Sequence, residues 1–298
     1  MNQFVQGGSG RLRGRWFWLS SAAALLAAIG SVVGLSLPAN IFGQETTVLA
    51  DAATAQDLVN LLLVAPLLVV LGWRAHRGHI RAHLVWVGCL AFTVYNYAIY
   101  AFSIHFGPLF LVWVAVLGLS MFTLIGGVAT FDAAALEGRF TQRAVRATGW
   151  FLIGVAVLFA LLWLREIVPN LLAGAPSRSA SDWKVPTNPV HVLDLAFFLP
   201  AAATSGVLLL RRHRLGYATA AGQLTWIALT CLPILVTPVV ANARNHEPAW
   251  AVAGSIGVIL LACIAALAWL LRLASTDSAP GPDQRHQGQR PTPPHTRG

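Results

Sequence analysis

An all-α, polytopic integral membrane bundle of about eight transmembrane helices is the fold this sequence predicts, on three observations. Residues AVILMFWYC make up 56% of the 298 and charged residues only 10%, where an average soluble domain carries roughly 25% charge. Eight stretches reach about twenty residues, the length that crosses a core roughly 30 Å thick at 1.5 Å per residue. Arginine supplies nearly all of the formal charge of +9, since Lys184 is the only lysine, and it recurs in alternate connections.

The stretches run approximately over 16–37, 55–73, 82–104, 107–128, 147–167, 190–210, 218–241 and 249–272. Lipid offers no partner to free backbone groups, so each is expected to be helical. Three arginines before the first stretch and LPAN at 37–40 also suit a cleaved signal. The stretch is longer than the usual apolar region of such signals, and GSVVG at 30–34 has the Gly-xxx-Gly spacing that lets helices approach closely. It reads as a retained span. Pro66, Pro200, Pro233 and Pro238 fall inside the second, sixth and seventh stretches, where neighbouring helices absorb a kink. Cys89, Cys231 and Cys263 lie in apolar runs without CxxC spacing, which indicates neither a disulfide framework nor a zinc ribbon. The eight helices define a domain over 16–273. The polar segments 1–15 and 274–298 bury too little apolar area to offset ordering entropy and are expected to be disordered cytoplasmic tails.

Basic side chains resist translocation, so their distribution sets the orientation. Arg11, Arg13 and Arg15; Arg74, Arg77 and Arg81; Arg139, Arg143 and Arg146; Arg211, Arg212 and Arg214; and Arg272, Arg285, Arg290 and Arg297 fall on one side. Only Arg165, Arg178, Lys184 and Arg244 fall on the other, so both termini are expected in the cytoplasm of a bacterial plasma membrane.

Residues 57–77, DLVNLLLVAPLLVVLGWRAHR, and 194–214, DLAFFLPAAATSGVLLLRRHR, both begin Asp-Leu and end Arg-x-His-Arg. Pairing Asp57 with Asp194 and Arg74 with Arg211 suggests a 4+4 parallel duplication, with two halves related by an axis along the membrane normal.

Residues three and four apart share a helical face. The third helix therefore carries a polar stripe of Cys89, Thr93, Asn96, Tyr100 and Ser103, inside a stretch whose segment TVYNYAIYAF holds three of the four tyrosines. Facing lipid, those groups would be unsatisfied, so the stripe is expected to face the bundle, as interhelical glue or as the wall of a wet cavity. Asn96 stands 15 residues from Arg81, or roughly 22 Å along the helix. Asp57, with Asn60 at i+3, and Asp194, with His191 at i−3, reach similar depth on their own helices. Glu166, at the end of the fifth helix beside Arg165, reads as an anchor.

Sharper chemistry finds little footing. His191 and Asp194 share a face, but without HExxH or a second close histidine the metal signal is weak. Haem, which needs a recognised axial pair, has only interfacial histidines to draw on. Neither GxSxG nor GxxxxGK[ST] is present. The IGG at 125–127 reads as a packing contact. No cofactor or metal is expected, and no nucleic-acid partner, because no soluble basic module exists to carry one.

The segments TVYNYAIYAF, TNPVHVLDLAFFLPA and VLLLRRHRLGY, at 93–102, 187–201 and 207–217, resemble a family of uncharacterised multi-pass bacterial membrane proteins common in actinobacteria. The resemblance runs from about residue 50 to 273. It implies a polytopic membrane location and carries no functional residues with it.

The expectation that follows is a small-molecule or lipid binding protein of transport type. Its partners are the bilayer and that ligand, held in a polar extracytoplasmic cavity between the second, third and sixth helices. Asp57, Asn60, Asn96, Tyr97, Tyr100, His191 and Asp194 are the expected ligand-binding residues. Two alternatives stand beside it. One is an intramembrane enzyme acting on a lipid or isoprenoid at the outer leaflet, with Asp194 or Asp57 as general base and His191 as partner. The other is a scaffold or accessory subunit in which the same residues only join helices.

Overall fold

The structure is a computed structural model that describes residues 3–131, 136 and 141–273, with side-chain surroundings from residue 14 to 272. Eight helices are long and apolar enough to span a membrane: α1 (Gly14–Ser36), α2 (Thr47–His76), α3 (Ile80–Ser103), α4 (Phe110–Ala129), α5 (Gln142–Leu172), α6 (Pro189–Leu210), α7 (Arg214–Ala243) and α8 (Trp250–Arg272). No strand occurs among the described residues. Large apolar side chains stand on the outer surface, among them Trp18 at 71% and Leu62 at 73% exposure. Such a band suits hydrocarbon contact and would be an aggregation surface in water.

Two boundaries differ from the sequence reading. The helix that contains α1 begins at Gln3, so residues 3–15, expected to form a tail, have helical backbone; a helix bonds its own backbone and needs no buried face to do so. The expected tail at 274–298 lies outside the described residues, as does Arg139. Helix α2 begins at Thr47 rather than near 55. The Thr46 side chain caps it by accepting from the Leu49 amide at 3.3 Å, and this adds Asp51 to the helix.

Helices α2 and α6 each contain one π-helical segment, Asn60–Val64 and Asp194–Phe198, followed at the same distance by Pro66 and Pro200. The offset is 134 residues, from 60 to 194. The same offset relates their ends. Gly78 and Arg212 both adopt positive φ, 90° and 57°. His79 donates its amide to the Arg74 carbonyl at 3.1 Å and His213 donates to Leu208 at 2.8 Å. These are paired Schellman terminations, and His79 and His213 then occupy the N-cap positions of α3 and α7, where only the His213 ring accepts a backbone amide, that of Leu215.

The repeat is therefore real as geometry, but its register corrects the sequence reading. Asp57 corresponds to His191 and Asn60 to Asp194, not Asp57 to Asp194. The Arg-x-His-Arg motifs misled because arginines cluster at both turns, and a slip of three residues keeps every side chain near its helical face. Backbone landmarks do not slip in this way.

Each half packs its helices alike: α1 on α2, α2 on α3 and α3 on α4, then α5 on α6, α6 on α7 and α7 on α8. Between the halves, α3 and α7 cross at Gly88 and Gly222, again 134 apart. A methyl on Gly88 would strike the Gly222 carbonyl, and one on Gly222 would lie 3.5 Å from the Gly88 amide nitrogen. Close approach here requires glycine at position 88, whereas a methyl at position 222 would make ordinary contact. The halves differ in closure, for α1 packs along α4 whereas α5 touches α8 only lightly.

Candidate functional site

The first polar cluster surrounds Asp57, buried on α2 just before the π segment. Its Oδ1 accepts from the Ser31 hydroxyl at 3.0 Å and from the Tyr100 hydroxyl at 3.0 Å. The Tyr100 proton is shared with the Ala53 carbonyl, 2.9 Å away. Gly34 on α1 lies against Oδ2, where any side chain would collide with the carboxyl, so GSVVG makes room for a buried acid. Tyr97 is buried beside the ring of Tyr100, and Trp113 stacks on its other side at 5.3 Å. Asp57 is thus bonded and walled in, joining α1, α2 and α3.

The second cluster surrounds Asp194, the first residue of the other π segment. Its Oδ2 accepts from the Trp163 indole of α5 at 2.7 Å. Asp194 is 6% exposed, and the Tyr95 hydroxyl of α3 is turned toward its carboxyl as a second donor, although Oδ1 has no partner at strict hydrogen-bond geometry. His191 turns the other way, with its ring 4.7 Å from that of Trp163 and its Nε2 3.9 Å from Glu166. Glu166 does not pair with neighbouring Arg165. It accepts from the Ser179 amide at 2.9 Å and hydroxyl at 2.7 Å, holding the first turn of the short helix Arg178–Trp183.

A cavity of about 590 Å³ lies between α2, α3, α5, α6, α7 and α8. Ile99, Val155, Phe159, Leu162, Leu199, Trp226, Ile227 and Ile256 are among the side chains that make its wall mainly apolar, so the expected polar cavity is corrected to an apolar one with a few polar groups. Those include Gln56, Tyr95, Asn96, Asp194, Thr230 and Thr237. Asn96 is 3% exposed and its Nδ2 has no partner. The Thr230 hydroxyl is already donated to the Trp226 carbonyl. Among the described residues, no arginine, lysine or histidine lines this cavity.

Of the residues expected at a site, the structure brings Asn96, Tyr100 and Asp194 to one cavity. Asp57, Asn60, Tyr97 and His191 are not on its wall. Asn60 accepts from Gln56 at 3.2 Å and leaves its own Nδ2 buried without a partner. Among the described residues, no three His, Cys, Asp or Glu side chains are grouped to hold a metal ion.

Sequence reasoning missed Trp163 and Asp51. An indole in an apolar helix gives no polar signal, and only its hydrogen bond to Asp194 shows its part. Asp51 is buried and accepts from Arg244 at 3.0 Å, with His246 at 2.6 Å, tying the start of α2 to the end of α7. Glu45 holds His105 similarly at 2.9 Å. The signal for Asp51 was present as a Thr46 cap ahead of LADAATAQDL, which extends the helix by about two further turns. The packing reading of IGG stands, since Gly126 receives the ring of Trp16 and Gly127 that of Trp86.

Comparison with models of known families, with curated proteins and with solved structures finds no match to this chain.

Proposed function

We propose that this protein binds an amphiphilic small molecule or lipid in the cavity between α2, α3 and α5–α8, as a transport-type protein of a bacterial plasma membrane with both termini cytoplasmic. The observation that carries this reading is an apolar cavity of about 590 Å³ whose wall residues include Asn96, Asp194 and Trp226, each with a buried side-chain atom that lacks a well-aligned hydrogen bond. Ligand sites are typically roughly 300–1,000 Å³, mainly apolar, with a few placed polar groups. Buried polar atoms are normally paired, so three exceptions among the residues of one cavity wall favour an absent partner. The π segments of α2 and α6 add a local weakness of the kind often found at functional hinges. Orientation rests on arginine, which gathers on the face holding the α2–α3 and α6–α7 turns.

The enzymatic alternative has less support, because His191 faces Glu166 and Trp163 rather than Asp194. The scaffold reading suits the Asp57 cluster and leaves the cavity without a purpose.

The test is solvent extraction of the purified protein followed by mass spectrometry, with Ala52→Phe as the filled-cavity control, since Ala52 is a small residue on the wall. An amphiphile retained by the wild type and lost from Ala52→Phe is the expected result. Identical lipid complements in both proteins would remove the basis for a cavity ligand.

A further inference from the structure

We infer that this cavity draws its ligand sideways from the bilayer, through a gap between α5 and α8, so that the ligand class is a chain-bearing lipid of the outer leaflet rather than a solute taken from water. This rests on the cavity-ligand reading and the orientation proposed above, and it names the source and the class of the ligand.

Exposure marks where the cavity opens. Its exposed wall residues are Leu162, Ile234, Val252 and Ser255, which stand on α5, α7 and α8. The wall residues from α2, α3 and α6 are buried or half-buried. Helix α7 forms the back of the opening, since it packs along α3 and α8, while α5 and α8 touch each other only lightly. The two rims, Leu162 and Val252, are 44% and 45% exposed. In the first half the corresponding pair is closed: Trp16 of α1 fills a notch at Gly126 of α4, and Val112 of α4 lies beside Gly30 of α1. On the water side of the cavity, half-buried Trp183 joins the wall, and its short helix is held by Glu166 through Ser179.

The gap suits hydrocarbon. Val155, Phe159 and Leu162 of α5 and Val252 and Ile256 of α8 form the wall beside it. The polar atoms that these two helices bring there are bonded within the protein: the Ser255 hydroxyl donates to the Val252 carbonyl at 3.0 Å, and the Trp163 indole to Asp194 at 2.7 Å. A polar solute passing between them would shed water and meet no partner, whereas an acyl or isoprenoid chain exchanges one apolar surrounding for another. Helices α5 and α8 are also the two least buried of the eight spans, and exposed Leu158 and Leu161 on one and Val258 and Leu261 on the other continue the apolar surface away from the gap. Leu162 lies one turn before Arg165 and Glu166, and Val252 lies two residues after Trp250, so both rims sit just inside the interface. A head group can therefore stay at the water boundary while its chain enters, and the wall needs no charged side chain to receive it.

The probe is a phosphatidylglycerol whose acyl chain carries a diazirine, mixed into phosphatidylglycerol vesicles that hold the full chain. A neutral diazirine diol dissolved in the buffer reports entry from water. After illumination, peptide mass spectrometry locates the labels. The lipid should mark Ile227 and Thr230 on the cavity wall and Leu261 on the membrane face, and the diol should mark none of them. Leu162→Trp narrows the gap from α5 and Ser255→Trp from α8, both at exposed positions. Each should lose the label at Ile227 and Thr230 and keep it at Leu261, which shows that the variant is folded in the membrane.

Cavity label that survives in either variant, yet is lost in Ala52→Phe, would overturn the route between α5 and α8 and leave the cavity reading standing. Cavity label from the diol alone would overturn it in favour of a solute drawn from water. Absence of lipid label at Leu162 and Val252 of the wild type would mean that a second copy or another protein covers the seam, which overturns the route as well. If neither probe marks the wall, or if label there survives Ala52→Phe, the route and the cavity reading fall together.

Discussion

The two halves of the molecule share a backbone plan but differ at the same place in it. At the end of the first half away from the α2–α3 turn, Tyr100 reaches Asp57, Trp113 stacks on Tyr100, and Phe42 and Tyr97 complete a closed cluster. The position 134 residues after Tyr100 is Ile234, which bonds to nothing and lies on the cavity wall. The first half fills this end with aromatic side chains and hydrogen bonds, and the second leaves Asp194 on the wall of an open cavity. One scaffold thus closes into a packed cluster in one half and borders a cavity in the other. The distinction lies in side-chain volume rather than in helix arrangement.

Substitutions can break or sharpen this contrast, beginning with the largest effect. Gly88→Leu attacks what both halves share. It forces a side chain into the Gly222 carbonyl, and thermal unfolding in detergent should show a loss of roughly 3 kcal/mol or more, within or beyond the range for overpacking. A mild effect there would mean the halves do not meet as described. Asp57→Leu should cost about 1–3 kcal/mol, because the Ser31 and Tyr100 hydroxyls lose their acceptor. Asp51→Asn, which weakens the ties to Arg244 and His246, should cost about 1 kcal/mol and loosen the outer ends of α2 and α7. Hydrogen exchange at those ends reads this directly.

Asn96→Leu should lie within about 0.5 kcal/mol of the wild type in stability, since no bond to Nδ2 is lost. If its cost equals that of Asp57→Leu, the two clusters are equivalent and the contrast fails. Ile234→Tyr gives the second half the residue of the first, and is expected to reduce ligand retention while leaving the melting temperature nearly unchanged.

What could be read from the sequence follows the same division. Helix number and the arginine-rich face come from averages over twenty residues, where single errors cancel. The polar stripe on α3 was legible because Asn96 and Tyr100 stand out among apolar neighbours. The separation of a sealed acid from one on a cavity wall was not legible. It depends on Ser31, Gly34 and Trp163, which arrive from other helices. The cavity was illegible for a related reason, since it arises from side chains that fall short of one another. The register of the repeat escaped because π segments leave no residue signature as strong as the arginines that mark the turns.

Each π segment adds one residue to a turn, and one residue is worth about 100° of rotation. Asn60–Val64 therefore works as a fixed screw offset between the two ends of α2: Gly72 faces Phe17 and Trp86 below it, while Asp57 faces Ser31 and Tyr100 above it. Were the offset removed by deleting one residue there, the outer end of α2 would swing like a key through that angle. The carboxyl would leave its lock on α1 and α3, and the half of the helix beyond Pro66 would keep its seat.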